Sequence, residues 1–354
     1  MGVVAAVPLP WRQHFDAWLA QDMHGEMSYL ERQADKRRDL SLVMEDVRSV
    51  LILAMNYYVA ADSNDDPSRG RISRYAWGGD YHGLMKERLG ALMAYIRNEE
   101  PKADGLYYAD TGPVMEKTWG AHSALGWMGK HSNLICREQG SWFFIGVLLL
   151  NCELDYDAAE KNYCGSCTRC LGACPTGAIV SPYVVDARLC ISYLTIELKG
   201  IMPRHLRSLT GKRIFGCDDC QEVCPWNRFA VSTEERTFLP RAGSRMPELA
   251  ECAAITAEEF DVRFLDSPIR RVQRDGFVRN VVVALGNSHR PDAVPALAGA
   301  MSDASALVRG HAAWALGQID IPEARVELEK ARDVETDPWV SEEIRLACTP
   351  RVAK

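Results

Sequence analysis

The stretch YCGSCTRCLGACP, residues 163–175, decides how this chain is organised. Its cysteines follow the spacing Cys164-x2-Cys167-x2-Cys170-x3-Cys174-Pro175. At this pitch three thiolates reach three irons of one [4Fe–4S] cubane, while the fourth, followed by proline, points to a second cubane. The spacing therefore predicts a module with two clusters, which needs a second set of ligands.

A second cysteine set lies downstream. Cys190 precedes the run Cys217-x2-Cys220-x3-Cys224-Pro225 and supplies the cysteine that this run lacks. The crossed assignment gives the first cluster Cys164, Cys167, Cys170 and Cys224, and the second cluster Cys174, Cys190, Cys217 and Cys220. A pair of structural zinc sites is the alternative, because zinc also uses C-x2-C pairs. The other cysteines are interpreted as small buried apolar residues: Cys136, Cys152, Cys252 and Cys348.

Composition limits the class of protein. The chain has 354 residues, 47% of them apolar and 25% charged, which is ordinary for a globular protein and excludes a disordered or collagen-like chain. The net charge of −7 means that a polyanion partner has to bind a local basic patch. The start of the chain lacks a basic n-region, and the longest apolar run, Trp142–Leu150, is too short to cross a bilayer. We therefore expect a cytoplasmic protein without membrane contact, whose clustered cysteines bind metal.

The N-terminal part alternates apolar runs with helical patterns. Val47–Tyr58 and Trp142–Leu150 read as inner strands, and Tyr81–Asn98 has apolar residues at helical spacing. A further strand is predicted over Leu106–Ala109. This alternation favours an α/β or α+β core in which helices cover a sheet.

A weak repeat is present near the C-terminus. Val278-Arg279 leads to Ala284-Leu285-Gly286, and Val308-Arg309 leads to Ala315-Leu316-Gly317, at a distance of 30 to 31 residues. A fainter copy begins near Trp339-Val340. The pattern resembles HEAT-type helix pairs, and an ordinary helical bundle is the alternative.

A cationic segment joins the two cysteine sets. Between Leu198 and Cys217 the chain contains no acidic residue. On an acidic protein such a segment beside a redox centre suits phosphate groups, although a solvated surface loop is the alternative. Its basic side chains are Lys199, Arg204, His205, Arg207, Lys212 and Arg213.

Several motifs together resemble the epoxyqueuosine reductase family, over almost the whole chain. The matching stretches are HGEMSYLER (24–32), SRYAWGGDYH (73–82), YADTGPVMEK (108–117), LGWMGKHSNLI (125–135), GSWFFIGVLLLN (140–151), LTIELKGIMP (194–203) and FGCDDCQEVCPWN (215–227). The resemblance implies reduction of the epoxide of epoxyqueuosine at the tRNA wobble position. The product is queuosine, and two electrons and two protons are consumed in this last step of its biosynthesis.

The resemblance also implies the architecture. We expect an α+β protein with a corrinoid-binding α/β core related to reductive dehalogenases, a bacterial ferredoxin-like two-cluster module and all-α HEAT-like repeats. The expected boundaries are 1–158 for the cobalamin-binding catalytic core, 159–229 for the module and 230–354 for the repeats. Expected partners are tRNA with a GUN anticodon carrying epoxyqueuosine and a low-potential electron donor such as ferredoxin or flavodoxin. The protein is expected to be a monomer.

The family match assigns candidate residues. Asp110, after a predicted strand, is the expected proton donor, and capping of the Thr111-Gly112 turn is its alternative role. The expected cobalamin contacts are Arg74, Tyr75, Asp110, Lys130, Ser132, Asp218 and Gln221. The resemblance also implies base-off cobalamin without a protein histidine on cobalt. Asp80-Tyr81-His82 begins like a D-x-H-x-x-G motif, but Met85 replaces its glycine, so His82 is not assigned as a cobalt ligand. The expected tRNA contacts are Lys199, Arg204, Arg207, Lys212, Arg213, Arg270, Arg271 and Arg274.

Three rival functions stay open at this point. A reductive dehalogenase would share the corrinoid and the clusters but usually carries an export signal. An electron-transfer protein would have the clusters and no substrate. A protein that handles cobalamin without redox chemistry would have no need of eight cluster cysteines.

Overall fold

A computed structural model of the chain describes residues 1–61 and 66–349. The strands are β1 Gly2–Ala5, β2 Ser49–Asn56, β3 Arg71–Ile72, β4 Gly105–Tyr108, β5 Trp127–Met128, β6 Leu134–Ile135, β7 Phe143–Leu150, β8 Ile179–Ser181, β9 Val184–Val185 and β10 Arg213–Phe215. The first helices are α1 Arg12–Ala20, α2 Ser28–Arg32, α3 Ala34–Arg38, α4 Tyr81–Glu99, α5 Glu116–Ala121, α6 Arg169–Ala173, α7 Ile191–Ile196, α8 Arg204–Arg207 and α9 Asp219–Glu222. The later helices are α10 Leu249–Ala253, α11 Ala257–Arg263, α12 Gln273–Ser288, α13 Val294–Ala300, α14 Ala306–Ile319, α15 Pro322–Arg332 and α16 Pro338–Cys348.

The chain forms two compact units, each built from three segments. Unit 1 comprises Met1–Ala60, Gly79–Cys190 and Asp218–Leu239, and unit 2 comprises Ala61–Gly78, Ile191–Cys217 and Pro240–Lys354. These units are defined by packing within the chain. The predicted boundaries at 158 and 229 define proposed catalytic, cluster and repeat regions, and they stay a prediction. Residues 350–354 of the predicted third domain lie outside the described residues.

Unit 1 is organised by an antiparallel sheet with the order β1-β2-β7-β4. The two inner strands are β2 and β7, which confirms the strands predicted from their apolar runs. Val50, Ile52, Val147 and Leu149 alternate into one apolar core and are almost completely buried. Because β4 pairs with β7 over Gly105–Tyr108, the chain leaves the sheet just before Asp110.

Helix α4 packs against β4 and β7, and its first turn carries site residues. A side chain at Gly146 of β7 would begin 2.9 Å from the Met85 side chain, so the absence of a Cβ lets the helix approach the sheet closely. Asp80 caps the helix by accepting a hydrogen bond from the His82 backbone N–H at 3.0 Å. Capping and packing together fix Tyr81 and His82 at the end of the sheet where β4 stops.

Unit 2 contains the repeated helices, with α14 packed against both α12 and α16. The glycine of each Ala-Leu-Gly copy lies at a close helix crossing. A Cβ on Gly286 would come within 2.7 Å of Ala315, and one on Gly317 within 2.8 Å of Ala347. The repeat noticed in the sequence is therefore a packing signature, since only glycine permits these approaches.

Arg279 of α12 ties the repeats to the preceding part of unit 2. Its guanidinium is fully buried and donates to the carbonyls of Leu194, Leu198 and Gly200 at 2.7–2.8 Å. Arg309, at the equivalent repeat position, instead forms an ion pair with Glu335. Both copies of the repeat thus have an arginine at this position, but the two arginines have different partners. Among the described residues, no helix has the length and apolar character needed to span a membrane.

Candidate active site

Asp110 lies in a tight turn directly after β4. Its φ is 61°, a left-handed conformation that is unusual for a residue other than glycine, and the Thr111 N–H donates to the Ala109 carbonyl at 2.8 Å. Such strain costs roughly 1–3 kcal/mol and persists only where the surroundings fix the backbone. The turn aims the Asp110 side chain away from the sheet.

Buried Arg37 fixes the backbone of this turn. Its Nη1 donates to the carbonyls of Gly112 and Val114, both at 3.2 Å. Burial lowers the pKa of Arg37, and the charges of Glu116, Tyr29 and Asp110 oppose this. Gly112 is pressed against the Tyr108 ring, where a side chain would clash. The loop that carries Asp110 is therefore held by a cation that faces inward.

The first turn of α4 surrounds the Asp110 carboxylate. The Tyr81 hydroxyl donates to Asp110 Oδ2 at 2.9 Å, and Tyr81 itself stacks on Phe144 with ring centroids 4.0 Å apart. His82 Nδ1 lies 2.6 Å from Asp80 Oδ1, and its Nε2 lies 3.8 Å from Asp110 Oδ2. His82 thus bridges two carboxylates.

The two carboxylates set the protonation of His82. Burial acts against the charged ring, but Asp110 and Asp80 outweigh it and raise the pKa of His82 to about 9. The imidazolium is therefore the stable form at neutral pH. The Asp110 side chain is 66% exposed, so the protein by itself does not bury this carboxyl.

Glu116 and Lys117 begin α5 beside the Asp110 loop. Glu116 Oε1 is shielded from solvent and has no hydrogen-bond partner among the described residues. Burial raises the pKa of Glu116 to about 7, with the charge of Asp110 acting in the same direction. A carboxylate oxygen shielded from water without a partner is costly, and titratable groups with shifted pKa values are common in functional sites.

Lys117 interacts electrostatically both with Asp110 and with the second cysteine set. Its Nζ donates to Asn133 Oδ1 at 2.7 Å, and it senses the charges of Asp110, Cys220 and Cys190. Desolvation lowers the pKa of Lys117, and the charges of Asp110 and Glu116 oppose this.

The cysteines of the first predicted cluster lie together in unit 1. Burial raises the pKa of Cys170, and the charges of Cys164 and Cys167 add to it. Burial likewise raises the pKa of Cys224, which senses Cys164 and Cys170. Cys224 is thus close to the first run although it follows it by 50 residues, as the crossed assignment requires.

The second group includes Cys174, Cys190 and Cys220. Burial raises the pKa of Cys220 far above its ordinary value, and Cys190 and Cys174 are among the charges that contribute. Cys217, the remaining predicted ligand, precedes Asp218 in the chain. Neighbouring buried thiols become thiolates together only when metal ions compensate their charge, so these residues fit iron–sulfur clusters.

Zinc sites and iron–sulfur clusters differ in how their ligands are arranged. In residues 1–61 and 66–349 no group of three or more His, Cys, Asp or Glu side chains is arranged to hold one metal ion. A zinc site requires four ligands around a single atom, whereas a cubane distributes its thiolates over separate irons. All the cysteines are free thiols.

The predicted cobalamin contacts have diverse surroundings. In unit 1, Lys130 Nζ donates to the carbonyls of Gly165 and Cys167, at 2.7 and 3.0 Å, and so holds the loop of the first cysteine run. Ser132 donates to the Tyr183 carbonyl, and buried Gln221 donates to Ser141. Asp218 caps the short helix α9. In unit 2, Arg74 lies over the Trp77 ring at 4.6 Å. Tyr75 faces Phe215. Their contacts with cobalamin stay predictions.

Arg207 requires a correction. Only 1% of its side chain is exposed, and its guanidinium is paired with buried Glu343 at 2.8 Å and donates to the Met202 carbonyl. A guanidinium in this position cannot reach a phosphate, and breaking a buried pair of this kind costs about 3–5 kcal/mol. The prediction that Arg207 contacts tRNA is therefore wrong; the residue stabilises unit 2. Arg204 pairs with the same carboxylate but remains partly exposed.

The other predicted tRNA contacts are accessible to different extents and have partners within unit 2. Arg270 pairs with Asp261 at 3.3 Å, and Arg271 pairs with Glu197 at 2.6 Å; both arginines are about half exposed. Arg274 is mostly covered and pairs with Asp303. The remaining three donate to backbone carbonyls, Lys199 to Ile196 and Arg271, Lys212 to Asp66, and Arg213 to Thr210.

Sequence reasoning missed part of this site. Tyr81, His82, Glu116 and Lys117 all lie inside motifs that carried the family resemblance, yet none was assigned a role. Asp80-Tyr81-His82 was considered only as a cobalt motif. Glu116-Lys117 directly follows the Asp110 turn, and a charged pair at this place was the available signal.

Comparison with known proteins places the chain in a family. The model of epoxyqueuosine reductase QueG (DUF1730) matches residues 37–111, that of a 4Fe–4S double cluster binding domain residues 163–227, and that of HEAT repeats residues 277–348. The epoxyqueuosine reductase of Escherichia coli K12 is 41% identical over 306 residues, covering 85% of this chain and 81% of that protein. The Pseudomonas aeruginosa enzyme is 42% identical, with 86% of each chain covered. This chain belongs to the epoxyqueuosine reductase family.

Solved structures of the family have the same fold. One epoxyqueuosine reductase in complex with an epoxyqueuosine-modified tRNA-Tyr stem loop has a TM-score of 0.89 and 30% identity, covering 98% of this chain and 93% of that one. The Bacillus subtilis enzyme, with a catalytic aspartate loop swung out of its active site, has a TM-score of 0.89 and 29% identity over the same shares. The two 4Fe–4S clusters and the HEAT repeats expected from the sequence are thereby supported at the level of the family.

The crossed cysteine assignment makes a direct prediction. Cys224→Ser is expected to remove the first cluster and Cys174→Ser the second, each leaving about four of roughly eight irons per chain. The electron paramagnetic resonance spectrum of reduced Cys224→Ser should then match that of Cys167→Ser, and that of Cys174→Ser should match that of Cys220→Ser. Iron analysis of Cys136→Ser, which is outside both sets, serves as the control and should stay unchanged. A Cys224→Ser spectrum like that of Cys220→Ser contradicts the crossed arrangement.

Proposed function

We propose that this chain is an epoxyqueuosine reductase that converts epoxyqueuosine at the tRNA wobble position into queuosine. One observation carries the proposal: the structure of an epoxyqueuosine reductase bound to an epoxyqueuosine-modified tRNA stem loop matches 98% of this chain. The reaction breaks both C–O bonds of the epoxide and forms a C=C bond. Two electrons and two protons enter, and the oxygen leaves as water.

The site favours a catalyst over an electron carrier without substrate. A pure carrier needs no strained carboxylate beside its clusters, yet Asp110 has a φ of 61° and is surrounded by Tyr81, His82 and Lys117. Strained and electrostatically coupled groups of this kind are typical of active sites. A dehalogenase-like reductase of another substrate is the remaining alternative, and the product assay below separates the two.

Cobalamin is the proposed second cofactor, bound base-off in a core related to that of reductive dehalogenases. The Lys117 ammonium and Glu116 Oε1, which has no hydrogen-bond partner among the described residues, are polar groups of the type that corrin amides engage. We keep Arg74, Tyr75, Asp110, Lys130, Ser132, Asp218 and Gln221 as the residues that would hold it. When bound, the corrinoid supplies a low-potential cobalt centre, for which no side chain can substitute.

The chain's own residues supply the protons. We propose that Asp110 donates to the departing epoxide oxygen and that His82 returns a proton to Asp110 across their 3.8 Å separation. Tyr81 orients the carboxylate through its 2.9 Å hydrogen bond. Because Asp110 is exposed in the free protein, cofactor and substrate have to provide the cover that keeps water away during transfer.

The remaining assignments follow from this reaction. Cys164, Cys167, Cys170 and Cys224 hold the first proposed cluster, and Cys174, Cys190, Cys217 and Cys220 the second. Residues 1–158, 159–229 and 230–354 are the proposed catalytic, electron-transfer and repeat regions. A tRNA substrate implies action in the cytoplasm, and a low-potential carrier such as ferredoxin or flavodoxin is the proposed electron source.

A nucleoside assay tests the function. Under anaerobic conditions the wild-type protein, supplied with cobalamin, a strong reductant and epoxyqueuosine-containing tRNA, should yield queuosine, detected by mass spectrometry after digestion. Asp110→Asn should retain iron and cobalamin while turnover falls by at least about 100-fold, because the proton donor is gone. Near-normal turnover of this variant removes Asp110 from the mechanism. Absence of queuosine with intact wild-type clusters contradicts the proposed substrate.

The pKa of His82 predicts an alkaline limb in the rate profile. Since this pKa is raised from 6.5 to about 9, the ring stays protonated at neutral pH and loses its proton as the pH rises through about 9. Turnover should therefore fall as the pH rises through about 9. His82→Gln is expected to lower turnover at pH 7 roughly tenfold and to abolish the decline near pH 9. Tyr81→Phe, which leaves the ring in place, should keep the decline; a decline that persists in His82→Gln rules out the relay.

The proposed tRNA contacts are the exposed basic side chains of unit 2, and buried Arg207 is not among them. The double variant Arg270→Gln/Arg271→Gln should weaken tRNA binding and reduce the slope of log Kd against log salt by about 1.5, since each phosphate contact contributes roughly 0.7–0.9. Fluorescence anisotropy over a salt series measures this slope. Arg345→Gln is the matched control, because Arg345 is also exposed and paired with a carboxylate, Glu342. If the wild type, the double variant and Arg345→Gln have equal slopes, Arg270 and Arg271 do not bind tRNA phosphates and their role is structural.

A further inference from the structure

A group of aromatic and basic side chains lies beside the first cysteine set in unit 1. We call it the cluster-1 face. Its residues are Arg137, Tyr163, Arg169, Trp226, Phe229 and Arg228. We propose that the cluster-1 face is the docking surface of a small acidic protein that carries single electrons, and that this protein reduces the first cluster. The inference rests on the proposed function for the assignment of that cluster.

The face directly flanks the first cluster. Tyr163 precedes Cys164 in the chain, Arg169 precedes Cys170, and Trp226 follows Cys224 by two residues. A carrier that docks on this face therefore lies beside the chain segments that supply the ligands of the first cluster, and an electron that enters there passes on to the second cluster and the substrate.

The aromatic part of the face is rigid. Buried Trp127 contacts the rings of Tyr163 and Trp226 edge to face, with centroids 5.1 and 5.0 Å apart. Trp226 in turn contacts Phe229 at 6.0 Å, and Phe229 is 40% exposed. Rings that are held by a buried anchor lose little entropy when a partner covers them, which suits an interface.

Hydrogen bonds hold the two chain segments of the face together. Asn227 Oδ1 accepts from the Ser141 N–H at 2.7 Å, and Asn227 Nδ2 donates to the Gln221 carbonyl. Gly140 lies so close to Asn227 that a Cβ would clash, so the turn at 136–140 fits tightly against the residues after Cys224. This turn carries Arg137, which is thereby placed over the Tyr163 ring at 5.4 Å.

Charge identifies the partner. Residues 161–185 and 223–233 contain Lys161, Arg169 and Arg228 but no Asp or Glu, although the whole chain has 48 acidic and 41 basic residues. Arg137, Arg169 and Arg228 are exposed and form no ion pair with any residue in the described part of the chain. Acidic residues border these stretches at Glu160, Asp186, Glu222 and Glu234, and Glu138 follows Arg137; Glu160 is engaged by the Tyr163 hydroxyl. Unpaired surface cations attract an acidic partner and accelerate its association.

An RNA strand fits this surface less well. Single-stranded RNA binds aromatic residues by stacking bases on free ring faces. Here the rings of Tyr163, Trp226 and Trp127 are occupied with one another, and the guanidinium of Arg228 lies over the Phe229 ring at 4.5 Å. Electron transfer needs only close approach, so a face without free stacking surfaces serves a protein carrier.

The electron balance defines the carrier. Removal of the epoxide oxygen consumes two electrons, and each [4Fe–4S] cluster accepts one at a time. Two carrier molecules, each oxidised by one electron, therefore reduce one substrate, and the two protons come from the active site and solvent. The partner is accordingly a low-potential protein with an iron–sulfur or flavin centre that undergoes one-electron oxidation.

The test is a reduction-rate measurement on the cluster-loaded protein. Anaerobic stopped flow mixes it with reduced flavodoxin of net negative charge and follows the loss of the cluster absorbance band. Arg137→Glu/Arg228→Glu should lower the second-order rate constant at low salt at least about tenfold and flatten its dependence on ionic strength. Arg137→Gln/Arg228→Gln should have an intermediate effect. The control Arg32→Glu/Lys86→Glu has the same net charge, and both its substitutions lie on exposed positions outside the face; it should react like the wild type.

Two further measurements, with dithionite and with tRNA, make the outcome decisive. Reduction by dithionite, which needs no docking, should be equally fast in all variants and shows that the clusters are intact. Binding of tRNA should be unchanged; a loss confined to the face variants would overturn the proposal in favour of an RNA surface. Equal flavodoxin rates in the face variants and the control would also overturn it. Since no tRNA is present in the rate measurement, a slowed reaction supports docking even if the nucleoside assay rejects the proposed substrate.

Discussion

Bringing thiolates together inside a protein is the constraint on which the rest of this structure depends. Burial and neighbouring thiols raise the pKa values of Cys170, Cys220 and Cys224, so these three thiols favour the neutral form unless bound iron compensates the charge of the thiolate. The segment 163–227 contains few long elements, and metal ligation has to supply the cohesion that an apolar core supplies elsewhere. Lys130, which binds two carbonyls of the first loop, shows how neighbouring side chains support that ligation.

The same charge balance extends to the candidate active site. The charges around the turn after β4 depend on one another: Asp110 acts on His82, Glu116 and Lys117, and Asp80 acts on His82. His82 is held as a cation by two carboxylates, whereas burial raises the pKa of Glu116 to about 7. Buried Arg37 fixes the backbone of the turn through two carbonyls, and its charge also interacts with Asp110.

The sequence predicted the features that depend on spacing and missed those that depend on surroundings. The spacing of the cysteines indicated a two-cluster module, which the match to a 4Fe–4S double cluster binding domain supports, whereas the assignment of each cysteine to a cluster stays a prediction. The apolar runs over β2 and β7 located the inner strands correctly. The Ala-Leu-Gly repeat was visible because Gly286 and Gly317 must each admit a neighbouring helix. Arg207 was misread because a basic residue in an acid-free segment looks like a phosphate contact until its partner, Glu343, is seen 136 residues away. His82 was missed for the same reason, since its charge depends on Asp110, a residue brought close only by the fold.

The exposure of Asp110 bears on how a carboxyl can act as an acid near neutral pH. Burial is one way to keep the proton, and Glu116 illustrates it within this site. Asp110 is too exposed for that, yet it lies 3.8 Å from an imidazolium that retains its proton up to about pH 9. In the proposed mechanism the Asp110 carboxylate needs to be protonated only at the moment of transfer, because His82 would hold the proton until then. Under that proposal an open loop is compatible with an acid function, and bound cofactor and substrate would supply the cover during transfer.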